Sequence, residues 1–157
     1  EKVIEGLNKM LEGYEGSATF LIENSAGAGD GIGGSFEELG FILKSLKHKK
    51  VGVCLDTQHS FGYGYDGRDR KKAETALKEF DKHVGLKYLV MMQVNDSKVE
   101  CGEKKDRHEH VGKGHIGKEA FGWFVQNPKL AKVDMVLETE FEGRAEDVKI
   151  LKSFRKK

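Results

Sequence analysis

The sequence predicts an α/β fold built from four βα units, half of a (β/α)8 barrel. Three observations carry this. Four short apolar runs alternate along the chain with helical patterns. The runs are apolar throughout instead of alternating with polar residues, as expected for parallel strands buried on both faces. Twenty glycines against one proline in 157 residues point to many tight loops between regular elements.

The first helical pattern, over 3–14, places Val3, Ile4, Leu7, Met10, Leu11 and Tyr14 on one face. ATFLIE (18–23) reads as a buried strand ending in a carboxylate, followed by the glycine-rich loop NSAGAGDGIGG. Ser35 with Glu38 forms a capping box that opens a helix carrying Phe36, Leu39, Phe41, Ile42, Leu43 and Leu46. VGVCLD (51–56) is the second strand, and the long loop TQHSFGYGYDGRD leads to a helix over 71–84, stopped by Gly85. KYLVMMQV (87–94) is the third strand, followed by a polar loop of about twenty residues. A short helix holds Phe121, Trp123, Phe124 and Val125, with Pro128 just beyond it. VDMVLE (133–138) is the fourth strand, and a helix over 145–154 closes the chain.

A complete barrel needs about 250 residues, and the first helix lacks a preceding strand. Four parallel strands alone leave open edges and bare apolar surface. The chain is therefore expected to be the C-terminal part of a longer protein, or to pair with a partner or a second copy of itself. A doubly wound sheet is the alternative architecture. No internal domain boundary is visible, so residues 1–157 read as a single domain.

Composition narrows the function classes. There are 27 Lys and Arg against 26 Asp and Glu, a formal net charge of +1. Bulk charge cannot drive nucleic-acid binding, though a local basic surface can. No apolar run approaches the roughly 18 residues of a membrane span, and the opening residues lack the layout of a secretory signal. With two cysteines, a reducing cytoplasmic setting is expected.

Active sites of parallel α/β folds form at the C-terminal ends of the strands. Here those ends are Glu23, Asp56, the run Gln93-Val94-Asn95-Asp96, and Glu138. A single carboxylate at such an end usually accepts backbone N–H bonds or caps the next helix. Three on one rim favour metal. His59 follows the second strand end, and Asp106 and His108 share one side of an extended segment. Oxygen and imidazole donors suit Zn²⁺, Mn²⁺ or Fe²⁺, which polarise phosphodiesters and supply hydroxide at neutral pH. Cys54 is expected to be an inert core thiol, Cys101 an exposed one, and Ser25 and Ser60 have no evident base. His48 and His83 read as surface groups, and His110 and His115 as near the site but not ligands. The glycine loop lacks the GK[ST] ending of a phosphate loop.

ENSAGAG (23–29), GVCLDTQHSFGYGYD (52–66), NDSKVECGEKKDRHEHVGKGHIG (95–117) and VLETE (136–140) resemble the endonuclease IV family of apurinic/apyrimidinic endonucleases, in the C-terminal half of its TIM barrel. The resemblance implies a zinc-dependent DNA repair nuclease that binds double-stranded DNA and cuts 5′ to an abasic site, leaving a 3′-hydroxyl. It also implies up to three zinc ions. Glu23 corresponds to a carboxylate bridging two zincs, Asp56 and Glu138 to ligands of one of them, and His59, Asp106 and His108 to the ligand set of the third. Glu23 and Glu138 are expected among the catalytic groups. Lys98, Arg107 and Lys113 would face the DNA backbone. Two departures stand out. Gln93 replaces a histidine ligand, and Gln58 replaces a cysteine. The N-terminal half of the family's barrel has no counterpart here. A truncated or degenerate homologue that binds metal or DNA without cutting is the second reading, and a TIM-barrel sugar isomerase the third.

Overall fold

A computed structural model describes residues 1–155. The chain opens with α1 (Lys2–Met10), β1 (Phe20–Glu23) and α2 (Phe36–Ser45), followed by β2 (Val51–Asp56), α3 (Thr57–Tyr63) and α4 (Arg70–His83). Then come β3 (Leu89–Gln93), a hairpin of β4 (Asp96–Ser97) and β5 (His108–Glu109), α5 (Lys118–Gln126), β6 (Asp134–Val136) and α6 (Arg144–Ser153). The four main strands form one parallel sheet in the order β1-β2-β3-β6, and β4 pairs antiparallel with β5. This is the predicted TIM-barrel-like arrangement of parallel strands with flanking helices.

The register divides the sheet into two unlike faces. Ile22 pairs with Val53, Leu55 with Met92, and Met92 with Met135. These side chains face the helices and join Phe36, Leu39, Leu77, Phe80 and Phe121 in the hydrophobic core. The opposite face carries Glu23, Cys54, Asp56, Met91, Gln93, Asp134 and Val136, again as register partners. Val136 is 39% exposed there, and Val90, at the register shift opposite Val53 and Cys54, is 41% exposed. The expectation of strands buried on both faces therefore holds for β2, where Cys54 and Asp56 are buried on the second face, and is corrected for the other three strands. The helices cover one face only, which also excludes the doubly wound alternative, where helices lie on both.

Local chemistry explains most element boundaries. Ser35 Oγ accepts from Glu38 N at 3.0 Å, and the Glu38 carboxylate reaches back to Gly33 N at 2.7 Å, so the capping box forms in a slightly extended version. Asp69 caps α4 through Lys72 N, and Gly85 ends that region at φ +100°. Within α2, Gly40 lies where a Cβ would overlap the His83 carbonyl of α4. A Gly40→Ala chain should therefore lose about 1–3 kcal/mol of stability by urea denaturation, because two backbones would have to separate.

Other boundaries differ from expectation. The first helix stops at Met10 and has no fully buried residue. Of its apolar face, Ile4 and Leu7 pack on the core while Met10 is 55% exposed. The segment after Asp56 is a helix, α3, not a loop: Asp56 caps it through His59 N. Thr-Gln-His-Ser-Phe-Gly-Tyr has no amphipathic period that would reveal it. The last strand ends at Val136, two residues before Glu138. Phe41, one of the apolar positions of α2, is 62% exposed. No helix among the described residues is long and apolar enough to cross a membrane.

Candidate metal centre

The open face of the sheet ends in a polar rim, and Asp56 lies at its middle. Asp56 is fully buried. One carboxylate oxygen accepts from His59 N at 2.8 Å, and the other from Asn95 Nδ2 at 2.6 Å. So the helix-capping role and the candidate ligand role fall on one residue. Burial raises its pKa, and the nearby His59 and His108 rings act in the opposite direction. Positive charge beside such a carboxylate favours its charged form.

Two asparagines hold the rim together. Asn24, just past β1, accepts from Asp56 N at 2.7 Å and donates to Asp56 O and Ser60 Oγ. Asn95, just past β3, exchanges hydrogen bonds with Thr57 and accepts from Glu138 N at 2.8 Å. Through Asn95, the ends of three strands are fixed relative to one another. Neither asparagine stands out in the sequence, because adjacency to a strand-ending carboxylate is the only signal.

The predicted ligand-type residues converge. Glu23, Asp56 and Glu138 each offer an oxygen lying within 4.8 Å of the others, and Asp56, His59 and His108 do the same with one oxygen and two nitrogens. Glu138, though not a strand end, reaches the group. Asp106 completes the second set: its two oxygens lie 3.3 Å from His59 Nε2 and 3.5 Å from His108 Nε2. The far nitrogens of the rings are held in place, His59 Nδ1 by Asn24 O at 2.9 Å and Glu23 at 3.0 Å, His108 Nδ1 by Glu138 O at 3.3 Å. Imidazoles that ligate metals are commonly oriented in this way. Both Nε2 atoms, and Gln93 Oε1, are buried without a hydrogen-bond partner among the described residues. Buried polar atoms left unpaired are costly, and a divalent cation would satisfy them. The donor set fits a metal.

Burial pulls the His59 pKa down, but the hydrogen bond to Glu23 and the charges of Asp56 and Asp106 outweigh it and lift the ring to about 9. Protonated His59 therefore stabilises the metal-free chain. That contribution is complete below the ordinary histidine value of 6.5 and is lost as pH climbs through about 9. Melts in chelator should show a loss on the order of 1–3 kcal/mol between pH about 6 and about 9.5. With zinc present the trend should reverse, because ligation needs neutral imidazole.

Asp96, in the same strand-end run, does something else. Its carboxylate accepts from Ser97 N, Gly112 N, Ile116 N and Gly117 N at 2.8 to 3.2 Å, and it is fully buried. It folds the 97–117 loop around itself. Gly114 sits so close that a Cβ would overlap Ser97 O and come within 2.6 Å of Asp96 Oδ1, which explains the glycine in GKGHIG. Gln58 is buried, donating to Ser97 Oγ and Lys105 O. His110 pairs with the buried Asp147 at 2.7 Å and so is not presented to the site. Burial and the charge of Glu23 push the Cys54 thiol up to about 12, in keeping with an inert thiol. Cys101 is half-buried, not exposed. Lys98, Arg107 and Lys113 are exposed on the loop, with Lys98 Nζ 3.0 Å from Glu140 and the Arg107 guanidinium donating to Asp106 O.

Fold and rim together define a parallel half-barrel that presents carboxylates and imidazoles at the C-terminal ends of its strands. Residues 1–155 match the family model of the xylose isomerase-like TIM barrel, and the chain belongs to that family. It is 40% identical over 158 residues to a protein named "Probable endonuclease 4" from Cenarchaeum symbiosum (strain A), covering 96% of this chain and 56% of that protein. It is 44% identical over 156 residues to the apurinic-apyrimidinic endonuclease of Caenorhabditis elegans, covering 99% of this chain and 39% of that one. The crystal structure of endonuclease IV from Thermus thermophilus superposes with a TM-score of 0.86 at 31% identity, over 98% of this chain and 56% of that chain. The resemblance read from the motifs is thus borne out, and the chain spans about half the length of the relatives it matches. A D-tagatose 3-epimerase-like protein shares the fold, with a TM-score of 0.65 at 19% identity.

Proposed function

We propose that this chain is the metal-holding, C-terminal half of a zinc-dependent apurinic/apyrimidinic endonuclease, which hydrolyses the phosphodiester 5′ to an abasic site in duplex DNA. The observation that carries this reading is the pair of buried, partnerless Nε2 atoms of His59 and His108, facing Asp56 and Asp106. The names of the relatives supply the substrate class.

In this reading His59, Asp106 and His108 hold one cation, while Glu23, Asp56 and Glu138, with Gln93 beside them, hold the adjoining one. Glu23 also touches His59, so it lies between the two groups. Divalent cations bound there polarise the phosphodiester and lower the pKa of water. The chain's own residues provide the rest. Asn24 and Asn95 keep the ligands in register, and Asp96 holds the loop bearing Asp106 and His108. Lys98, Arg107 and Lys113 bind DNA phosphates without reading sequence. The bare inner face of the sheet is covered by the N-terminal half of the barrel.

A second reading, a homologue that binds metal or DNA without cutting, is favoured by that open face and by the amide at Gln93. Duplex DNA with one abasic site, incubated with this chain with and without chelator, separates the two. Chelator-sensitive incision 5′ to the site supports the nuclease. Binding without incision by both the natural chain and Gln93→His supports the second reading.

A further inference from the structure

The two ends of the sheet differ in charge. Its strands are parallel, so the segments that follow them lie at the rim and the segments that precede them lie at the far end. At the rim end, basic side chains are mixed with carboxylates: Lys98 pairs with Glu140, Lys105 with Glu103, and Arg68 and Lys72 with Asp66. The far end is different. The run KSLKHKK (44–50), ahead of β2, holds Lys44, Lys47, Lys49 and Lys50 and no carboxylate. None of these lysines forms an ion pair among the described residues. Lys44 lies in the last turn of α2, where the helix dipole favours a cation, and its Nζ donates to His83 O. Lys50 Nζ donates to Gly16 O. His48 Nδ1 accepts from Lys50 N at 3.1 Å, and Nε2 donates to Tyr14 O at 3.0 Å. Asn8 Oδ1 accepts from Lys47 N at 2.8 Å and fastens the turn to α1. The turn is thus fixed through its backbone, while the side chains of Lys47 and Lys49 stand exposed with no partner among the described residues. Beside it lies a cleft of about 400 Å³, lined by Asn8, Lys9, Glu12, Lys47 and His48. Lys87, ahead of β3, is also exposed, its Nζ 4.9 Å over the Tyr88 ring.

We propose that the far end is a second face for duplex DNA, on which Lys47, Lys49 and Lys87 meet backbone phosphates. Fixed lysines bind phosphates without reading sequence. The six residues of β2, at about 3.3 Å each, set the two ends about 20 Å apart. A straight duplex lying on the rim therefore does not touch the far end, and the second face takes a separate stretch of DNA. Neither the turn nor the segment 84–88 exposes a large apolar side chain, which a membrane-surface segment would insert. Only the class of polymer is taken from the proposed function; neither metal nor cleavage is needed for binding here.

The test follows the fluorescence anisotropy of a short, undamaged, labelled duplex across a salt series, with this chain in chelator. Without metal, the carboxylates of Glu23, Asp56, Asp106 and Glu138 repel phosphate at the rim, so the far end dominates binding. The expected result is an affinity that falls steeply with salt. Lys47→Glu combined with Lys49→Glu should weaken binding at least about tenfold, and should lower the slope of log K against log salt by about 2, one for each phosphate contact. Lys47→Gln with Lys49→Gln, which avoids charge reversal, should lose the same slope and a smaller part of the affinity. Lys98→Glu with Arg107→Glu, at the rim, should cost less than the Lys47→Glu pair. The proposal is overturned if the natural chain binds no duplex in chelator, if both Lys47 and Lys49 variants keep its affinity and slope, or if the rim pair costs more. Preference for phosphatidylserine vesicles over duplex in the same buffer would also overturn it, in favour of a lipid surface. Abasic-site incision is assayed separately with zinc. Incision without binding through Lys47 and Lys49 sinks only the second face, and such binding without incision sinks only the nuclease reading.

Discussion

Asp96→Ala will destabilise the chain by about 3–5 kcal/mol, read as a lower urea midpoint. The carboxylate is fully buried and accepts from the N–H groups of Ser97, Gly112, Ile116 and Gly117. Alanine strands those donors in a site that water does not reach, and each stranded donor costs about 1–3 kcal/mol before relaxation. The loop between Ser97 and Gly117 then loses the centre around which it folds, and with it the placement of Asp106 and His108. Metal affinity should therefore fall along with stability. Asp96→Asn keeps one acceptor oxygen and should lie between the two.

Asp56→Asn should show the opposite pattern. Asp56 is also fully buried, but it faces the rings of His59 and His108 and contributes an oxygen to both donor groups. Metal affinity should drop at least about 100-fold, since ligand loss exceeds the effect of disturbing an outer partner. Stability of the metal-free chain should change by less than about 1 kcal/mol. Relief from burying a charge offsets the loss of the bond from Asn95, which donates to Asp56 at 2.6 Å. The raised pKa of Asp56 fixes the pH dependence. The charged form is disfavoured in the folded chain, so the cost builds as pH rises past the ordinary value of 3.8, is complete above the raised folded pKa, and disappears on acidification. The gap between Asp56→Asn and the natural chain should close on acidification. Calorimetric metal titration beside chelator melts measures both quantities.

These two carboxylates show what the sequence reveals and what it does not. Asp56 ends β2 and Asp96 comes three residues after β3, and the two look alike in isolation. One collects backbone N–H groups and the other faces imidazoles, and that difference arises from the folding of a distant loop, in the contacts of His108 with Asp56 and of Gly112 to Gly117 with Asp96. Strand and helix order was legible because apolar runs and amphipathic periods are local properties. The convergence of Glu23, Asp56, His59, Asp106, His108 and Glu138 was legible because parallel α/β topology brings strand ends to one rim. Helix α3 was not, since its start depends on one cap from Asp56 and its short length carries no period. The one-sided burial of the sheet was also hidden. An apolar strand reads the same whether its second face meets helices or lies open, as Val136 does.

X-ray diffraction recorded at the zinc absorption edge, from crystals grown with zinc, tests the central claim most directly. The expected result is an anomalous peak about 2.0–2.1 Å from the Nε2 atoms of His59 and His108, with further metal density among the oxygens of Glu23, Asp56 and Glu138. Peaks confined to surface histidines such as His48 or His115, with none between His59 and His108, would contradict it.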